Sequence, residues 1–450
     1  MTQESNPPQR PPGPLASSAG AGYLRWIIAG LIFIVTCINY IDRTSISLLR
    51  PIFGPQIHLS TLQYSRVGAI LLFAYTLSQS VSGRLYDKYG ARIGFSVSII
   101  VWCFAAMAHS LLVGFASFAA CSFVLGFGEA GNWPGAAKVI AEWFPQRERA
   151  LGMAIFNGGA SMGGVIGPLL IVGIEQIVGW RLTFLIIGAA GFVWLAGWLY
   201  YYHPLATHPR VSPQERAYIL EGQSPRSQEK SPALGILLSQ RQTWGILLAR
   251  FFVDPVWWLY MLWLPSYLVE ARHFNVSQLG LFTWVPYLCA ALGALFGGWL
   301  VGRLIRARFS VNAARKIVIG TAAVLMPFGI LAARADSAYH ALIYIAVVLF
   351  GFQMWISNVQ TLPSDFFSNA AVGSVAGMGG TAAGISSLLF NLGTGWLVMH
   401  FGYGIVLTIA GVLSPIGAIL LFLLIGRIQP IDLGPSITPH NERNSAHVTL

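Results

Sequence analysis

Charge is what this chain has least of. Asp, Glu, Lys and Arg together make up 10% of its 450 residues, while 55% are hydrophobic. A soluble globular domain carries about a quarter charged residues, so the class is an integral membrane protein. Cysteine is scarce as well. Cys37, Cys103, Cys121 and Cys289 all lie in apolar runs. Their spacing matches neither a zinc site nor a disulfide framework, so they read as packing residues. The histidines are scattered, with no nucleophile–base or metal-ligand spacing, and no enzyme, metal or cofactor is expected. Alternating apolar and polar strands are missing, which excludes a membrane β-barrel. The chain does not open with a basic segment followed by a short apolar core, so residues 1–22 read as a disordered tail and not as a signal peptide. The net charge of +11 is spread over short loops instead of one basic module, which excludes nucleic acid as a partner.

What is present is a series of apolar runs near the 20 residues that a spanning helix needs. They fall at about 24–49, 62–83, 93–112, 115–139, 150–175 and 181–202, then 243–269, 277–302, 316–335, 339–361, 372–400 and 404–426. The expected fold is an all-α membrane protein of about twelve transmembrane helices in two six-helix halves, 23–203 and 243–427. A polar central loop at 204–242 joins them, and a second tail follows at 428–450. Lys and Arg crowd one set of loops: Arg84, Lys88, Arg92, Arg147 and Arg149, five in the central loop, and five between Gly302 and Lys316. The other set holds only Arg50, Arg66, Arg181, Arg272 and Arg334. The rich side faces the cytoplasm, which puts both termini inside and the chain in the cell (inner) membrane. Gly83-Arg84-Leu85-Tyr86-Asp87-Lys88 after the second run is echoed by Gly298-Trp299-Leu300-Val301-Gly302-Arg303 after the eighth. Such a parallel repeat is a transporter plan.

A few ionisable residues sit inside apolar runs, where hydrocarbon hydrates no ion. Asp42 and Arg43 adjoin in the first run, so on a helix they point about 100° apart. Arg43 suits a carboxylate, because its planar fork binds one bidentately and never deprotonates. Asp42 is then a proton site; the alternative is an ion pair that binds helices together. Glu129 in the fourth run is a second proton carrier, or else a carboxylate locked to Lys138 or to another helix's donor. Pro134 removes a backbone hydrogen bond just beyond it. Lys138 either contacts substrate or snorkels to the interface. Arg250 and Asp254, four apart, are either a second anion-attracting charge or an intrahelical pair. Tyr75 and Gln79 share a face, with the donors, acceptors and aromatic surface that a hydroxyl-rich ligand needs. Asn157, Trp355, Asn358 and Asn391 are further polar candidates. The glycines around Asn157 suit close helix packing. No strand precedes them, so they do not form a nucleotide loop.

Gly83 to Arg92 resembles the cytoplasmic loop signature of the major facilitator superfamily. Asn39-Tyr40-Ile41-Asp42-Arg43 resembles the first-helix signature of its anion:cation symporters. Gly128-Glu129-Ala130-Gly131-Asn132-Trp133-Pro134 and Asp254-Pro255-Val256-Trp257-Trp258 resemble bacterial hexuronate transporters, as do Trp263-Leu264-Pro265 and Ala371-Val372-Gly373. The resemblance implies proton-coupled uptake of a hexuronate such as galacturonate or glucuronate by alternating access, with the protein acting as a monomer. Tyr75 matches a substrate-contacting tyrosine. Gly83, Asp87, Lys88 and Arg92 would form a gating loop. Ser122 stands where many of these symporters carry an arginine, which leaves Arg43 as the main cation of the first half. Phe352 stands where a close hexuronate transporter has histidine. The rival substrates are an aldonate, an aldarate or an aromatic carboxylate; the rival class is a membrane sensor that does not transport.

Overall fold

The computed structural model describes residues 22–145, 148–220, 233–367 and 369–431. Both expected tails fall almost wholly outside these residues, as do Arg147 and the middle of the central loop. Among the described residues, nine helices are long and apolar enough to cross a membrane. Two of the long helices make two passes each. Thr61–Ala108 has 48 residues, about 72 Å at 1.5 Å per residue, against a hydrocarbon core of about 30 Å. Arg149–Tyr201 has 53 residues and is too long for the same reason. The first turns back at Gly90 (φ 80) and the second at Gly179 (φ 77). Only glycine takes this left-handed backbone without a steric cost, so one residue suffices to reverse the chain.

Other spans are assembled from shorter helices. Phe115–Glu129 and Asn132–Trp143 form the fourth, broken at Ala130–Gly131. Pro134 cannot donate to the carbonyl four residues back, which is the local interruption expected beyond Glu129. Val276–Phe282 and Trp284–Arg306 form the eighth span, Val311–Leu325 and Phe328–Ala333 the ninth, and Ala338–Val359 and Leu362–Phe366 the tenth. With Leu24–Gln56, Arg241–Glu270, Asn369–Phe401 and Tyr403–Ile425, the fold is all-α, with about twelve spans in two halves. The second and eighth spans start alike. Ser60 and Asn275 each accept a hydrogen bond from the backbone of a glutamine three residues on, and each glutamine side chain bonds back. These matched capping boxes are a second trace of the repeat.

In the first half the first span packs on the fifth, and in the second half the eighth packs on the tenth. Small residues allow this: a Cβ on Gly159 or Gly163 would collide with the backbone oxygens of Phe33 or Cys37. The halves meet where the first span touches the seventh, the second the eleventh and the fifth the eighth. The central loop is not structureless. Its short helix Pro213–Leu220 docks on the first half through Glu215, which accepts from the Arg25 backbone N–H at 3.1 Å.

Candidate functional site

At the middle of the first span, Arg43 is 2% exposed. Its guanidinium donates twice to one oxygen of Glu129, from Nε at 2.9 Å and from Nη2 at 2.6 Å. Glu129 is 0% exposed and ends the helix Phe115–Glu129. Its other oxygen has no partner among the described residues. Glu129 is thus held by another helix's donor and not by Lys138. Aromatic rings surround the cation. Arg43 Cζ lies 5.7 Å from the Tyr40 ring, 4.8 Å from Tyr75 and 5.1 Å from Trp258. Trp258 belongs to the seventh span and meets Tyr75 edge to face at 6.0 Å. The site therefore draws on both halves. A ring face attracts a desolvated cation by up to about 2 kcal/mol, so Arg43 stays tolerable when a carboxylate leaves it.

Asp42 faces elsewhere, as its 100° offset from Arg43 requires. It looks towards Trp102 and Cys103 of the third span. It is 2% exposed, and neither carboxylate oxygen makes a hydrogen bond to a described residue. An ion there would be a buried charge with no counter-ion. Asp42 and Arg43 are adjacent in sequence and do not pair.

The remaining sequence candidates divide into two groups. Tyr75 touches the Arg43 cage. Gln79 is half-buried and Asn157 exposed, and neither amide bonds a described residue. Asn358 is taken up elsewhere: its oxygen accepts from Arg315 at 3.1 Å, and Arg315 also reaches Asp365. Asn391 accepts from Trp263 Nε1 at 2.8 Å and donates to the Ser65 carbonyl at 2.6 Å. Trp355 is wholly buried, with its N–H unpartnered. Arg250 and Asp254 form the intrahelical pair, at 2.8 Å. Lys138 donates to the Tyr86 carbonyl at 2.6 Å, at the end of the second span. Of the residues expected in a gating loop, the surroundings of Gly83 and Asp87 lie outside what is described. Lys88 sits over the Tyr89 ring, and Arg92 donates to the Leu199 carbonyl.

Asn391 belongs to a layer that the sequence did not reveal. Arg50 pairs with Glu270, which also accepts from Tyr403 Oη at 2.7 Å. Arg50 sits over the Tyr64 ring at 5.1 Å, and Tyr64 donates to the Leu262 carbonyl at 2.7 Å. Gln176 donates to Ser277 at 2.7 Å. These contacts between the halves lie at one end, where the first span finishes and the second begins. Arg50 reads from sequence as an outer-loop charge. The helix Leu24–Gln56 runs past it, and the arginine is 5% exposed.

Comparison with known proteins gives a consistent picture. The description of the Major Facilitator Superfamily matches residues 32–391. The hexuronate transporter of Escherichia coli (strain K12) is 30% identical over 429 residues, covering 94% of this chain and 99% of that protein. The galacturonate transporter of Dickeya chrysanthemi is 35% identical over 308 residues, 67% of this chain and 89% of that one. Among solved structures, a D-xylose-proton symporter has the same fold, with a TM-score of 0.70 at 15% identity over 90% of this chain and 98% of its own.

Proposed function

Because this chain belongs to the Major Facilitator Superfamily, we propose that it takes up a sugar acid, a hexuronate such as galacturonate or glucuronate, in symport with protons. The observation that carries this reading is the Arg43–Glu129 pair, buried inside an aromatic cage that both halves build. At rest Glu129 occupies the fork that a substrate carboxylate needs. A proton on Glu129 removes its charge and frees Arg43. The substrate carboxylate then takes the fork in the same two-bond geometry. Tyr75, Gln79 and Asn157 meet the ring hydroxyls, and Trp258 covers an apolar ring face. Asp42 carries a second proton on the far side of the first span. The Arg50–Glu270 layer is the outer gate, closed here. Residues 23–203 and 243–427 rock about the site as two bodies in a single protein molecule of the inner membrane. Phe352 stacks on Trp257 at 5.6 Å, which makes the second-half wall more apolar than a histidine would.

The test is galacturonate binding read by tryptophan fluorescence, with competition by aldonates, aldarates and aromatic carboxylates. Arg43→Lys keeps the charge and loses one of two charge-assisted bonds. At about 1.5–3 kcal/mol each, that weakens binding roughly ten- to hundredfold. Unchanged affinity in Arg43→Lys would remove Arg43 from the binding site.

A further inference from the structure

A second group of cations gathers where the third span begins and the sixth ends. The two spans are tied there: Arg92 Nη2 donates to the Leu199 carbonyl at 2.8 Å, and Trp198 Nε1 donates to the Arg92 carbonyl at 3.2 Å. Arg92 Nε is buried without a partner, and so is His203 Nδ1, just past the end of the sixth span. His208 stands 5.3 Å from the His203 ring. It is fully engaged, with Nε2 at 3.0 Å from the Tyr201 carbonyl and Nδ1 accepting from Arg210 N–H at 3.1 Å. That bonding fixes a neutral ring protonated on Nε2. The exposed Arg210 guanidinium lies over the Tyr200 ring at 4.2 Å, and no described acceptor bonds it. Glu142, beside Tyr202, spends one oxygen on the Tyr202 hydroxyl and the other on the Leu205 N–H. Burial first, and then the guanidinium charges of Arg92 and Arg210, hold His203 below the ordinary histidine value. None of these groups serves the Arg43 site.

Directly below the cations runs an apolar face with no protein cover. Ile93, Val97, Ile100 and Phe104 of the third span are all exposed. Their spacing of four, three and four puts them on one side of the helix. Leu199 and Tyr200 of the sixth span are exposed beside them. Two guanidinium groups with donors to spare, set above a continuous apolar strip, fit a ligand with an anionic head and hydrocarbon chains.

We propose that Arg92, His203 and Arg210 form a headgroup site for an anionic phospholipid. Its phosphodiester oxygens accept from the Arg92 and Arg210 guanidinium groups, and its chains lie along Ile93 to Phe104. Basic pockets at span ends hold lipid headgroups by this chemistry. The site does not depend on the sugar-acid reading, since none of its residues touches the Arg43 cage.

Native mass spectrometry of the full chain in detergent tests it. The titrants are phosphatidylglycerol, phosphatidylcholine with the same chains, and glycerol phosphate, which carries the head without chains. Phosphatidylglycerol should bind and phosphatidylcholine should bind more weakly. Arg92→Gln with Arg210→Gln should weaken phosphatidylglycerol about thirtyfold. Arg181→Gln, an arginine on Trp180 beside the Gly179 turn at the other end of the sixth span, should leave it unchanged. Because Arg92 sits at a span junction, His203→Glu with Arg210→Gln provides a second variant that leaves the junction intact and should also weaken binding. Equal retention of phosphatidylglycerol in both double variants overturns the site. Equal binding of phosphatidylcholine removes the anionic requirement, and displacement by glycerol phosphate at matched concentration makes it a soluble-phosphate site; either result also overturns the proposal.

Discussion

Glu129→Gln should tighten substrate binding, the reverse of what removing a ligand-contacting group does. In the resting site two charge-assisted bonds join Arg43 to one Glu129 oxygen, at 2.9 and 2.6 Å. A substrate carboxylate must displace that oxygen before it can use the fork. Glutamine keeps the shape and an acceptor but drops the charge. A bond to a charged group is worth about 1.5–3 kcal/mol and a neutral one about 0.5–1.5. The competitor therefore weakens by about 1–1.5 kcal/mol per bond, or about 2–3 kcal/mol in all. At 1.4 kcal/mol per tenfold, that is about 30- to 150-fold tighter binding at neutral pH. Removing one partner of a buried pair also destabilises, by about 3–5 kcal/mol when nothing replaces it. Here the amide acceptor and the three ring faces reduce that cost, so the variant should fold, and thermal unfolding checks this. Wild-type affinity should rise as pH falls, because protonation of Glu129 frees Arg43. In Glu129→Gln that pH dependence should flatten, and uptake driven by a pH gradient should vanish while substrate exchange persists. The assay is galacturonate titration by tryptophan fluorescence from acid to neutral pH. Weaker binding at every pH with an unchanged slope would refute the reasoning, since Glu129 would then be a substrate ligand or a structural brace.

Two further outcomes follow from the placement of the charges. Asp42→Asn should leave galacturonate affinity within about threefold, because the Asp42 oxygens touch neither Arg43 nor its cage, while gradient-driven accumulation in proteoliposomes falls to equilibration; a hundredfold loss of affinity would put Asp42 in the binding site. Arg50→Gln removes the Glu270 pair and the contact with Tyr64, a loss of about 1–3 kcal/mol for a part-buried pair. It should raise thiol labelling from outside of a Ser65→Cys reporter by at least about fivefold in a chain freed of its four cysteines, and unchanged labelling would remove these residues from the outer gate.

The fold was legible in the sequence because hydrocarbon imposes its demand on whole segments. Twenty apolar residues read as a span regardless of what they pack against. The breaks were harder to read. Gly90 and Gly179 look like any of 49 glycines until the backbone shows a positive φ. The charges in the first and fourth runs announced themselves as costly, and the 100° offset already separated Asp42 from Arg43. Their true partners were not readable, since Arg43 finds Glu129 at a separation of 86 residues. Asn358 and Asn391 resembled ligand amides because an amide in a span needs partners. Sequence does not say whether those partners are a sugar or, as found, Arg315 for one and Trp263 with Ser65 for the other. Trp258 was one of five clustered aromatics in the seventh span, with nothing local to single it out. Arg50 reads as a loop charge because the first apolar run ends at Leu49, yet the helix continues to Gln56 through Pro51 and Pro55; a proline in the last turns of a helix can be accommodated when the carbonyls it strands are solvated or bonded elsewhere.

The central claim is that a proton on Glu129 hands Arg43 to a sugar acid. Uptake of labelled galacturonate into proteoliposomes under an imposed inward proton gradient tests it most directly. Accumulation above the outside concentration, abolished when the gradient is collapsed and absent in Glu129→Gln, is the predicted result. Accumulation that survives collapse of the gradient would contradict proton coupling, and saturable binding with no uptake would contradict transport itself.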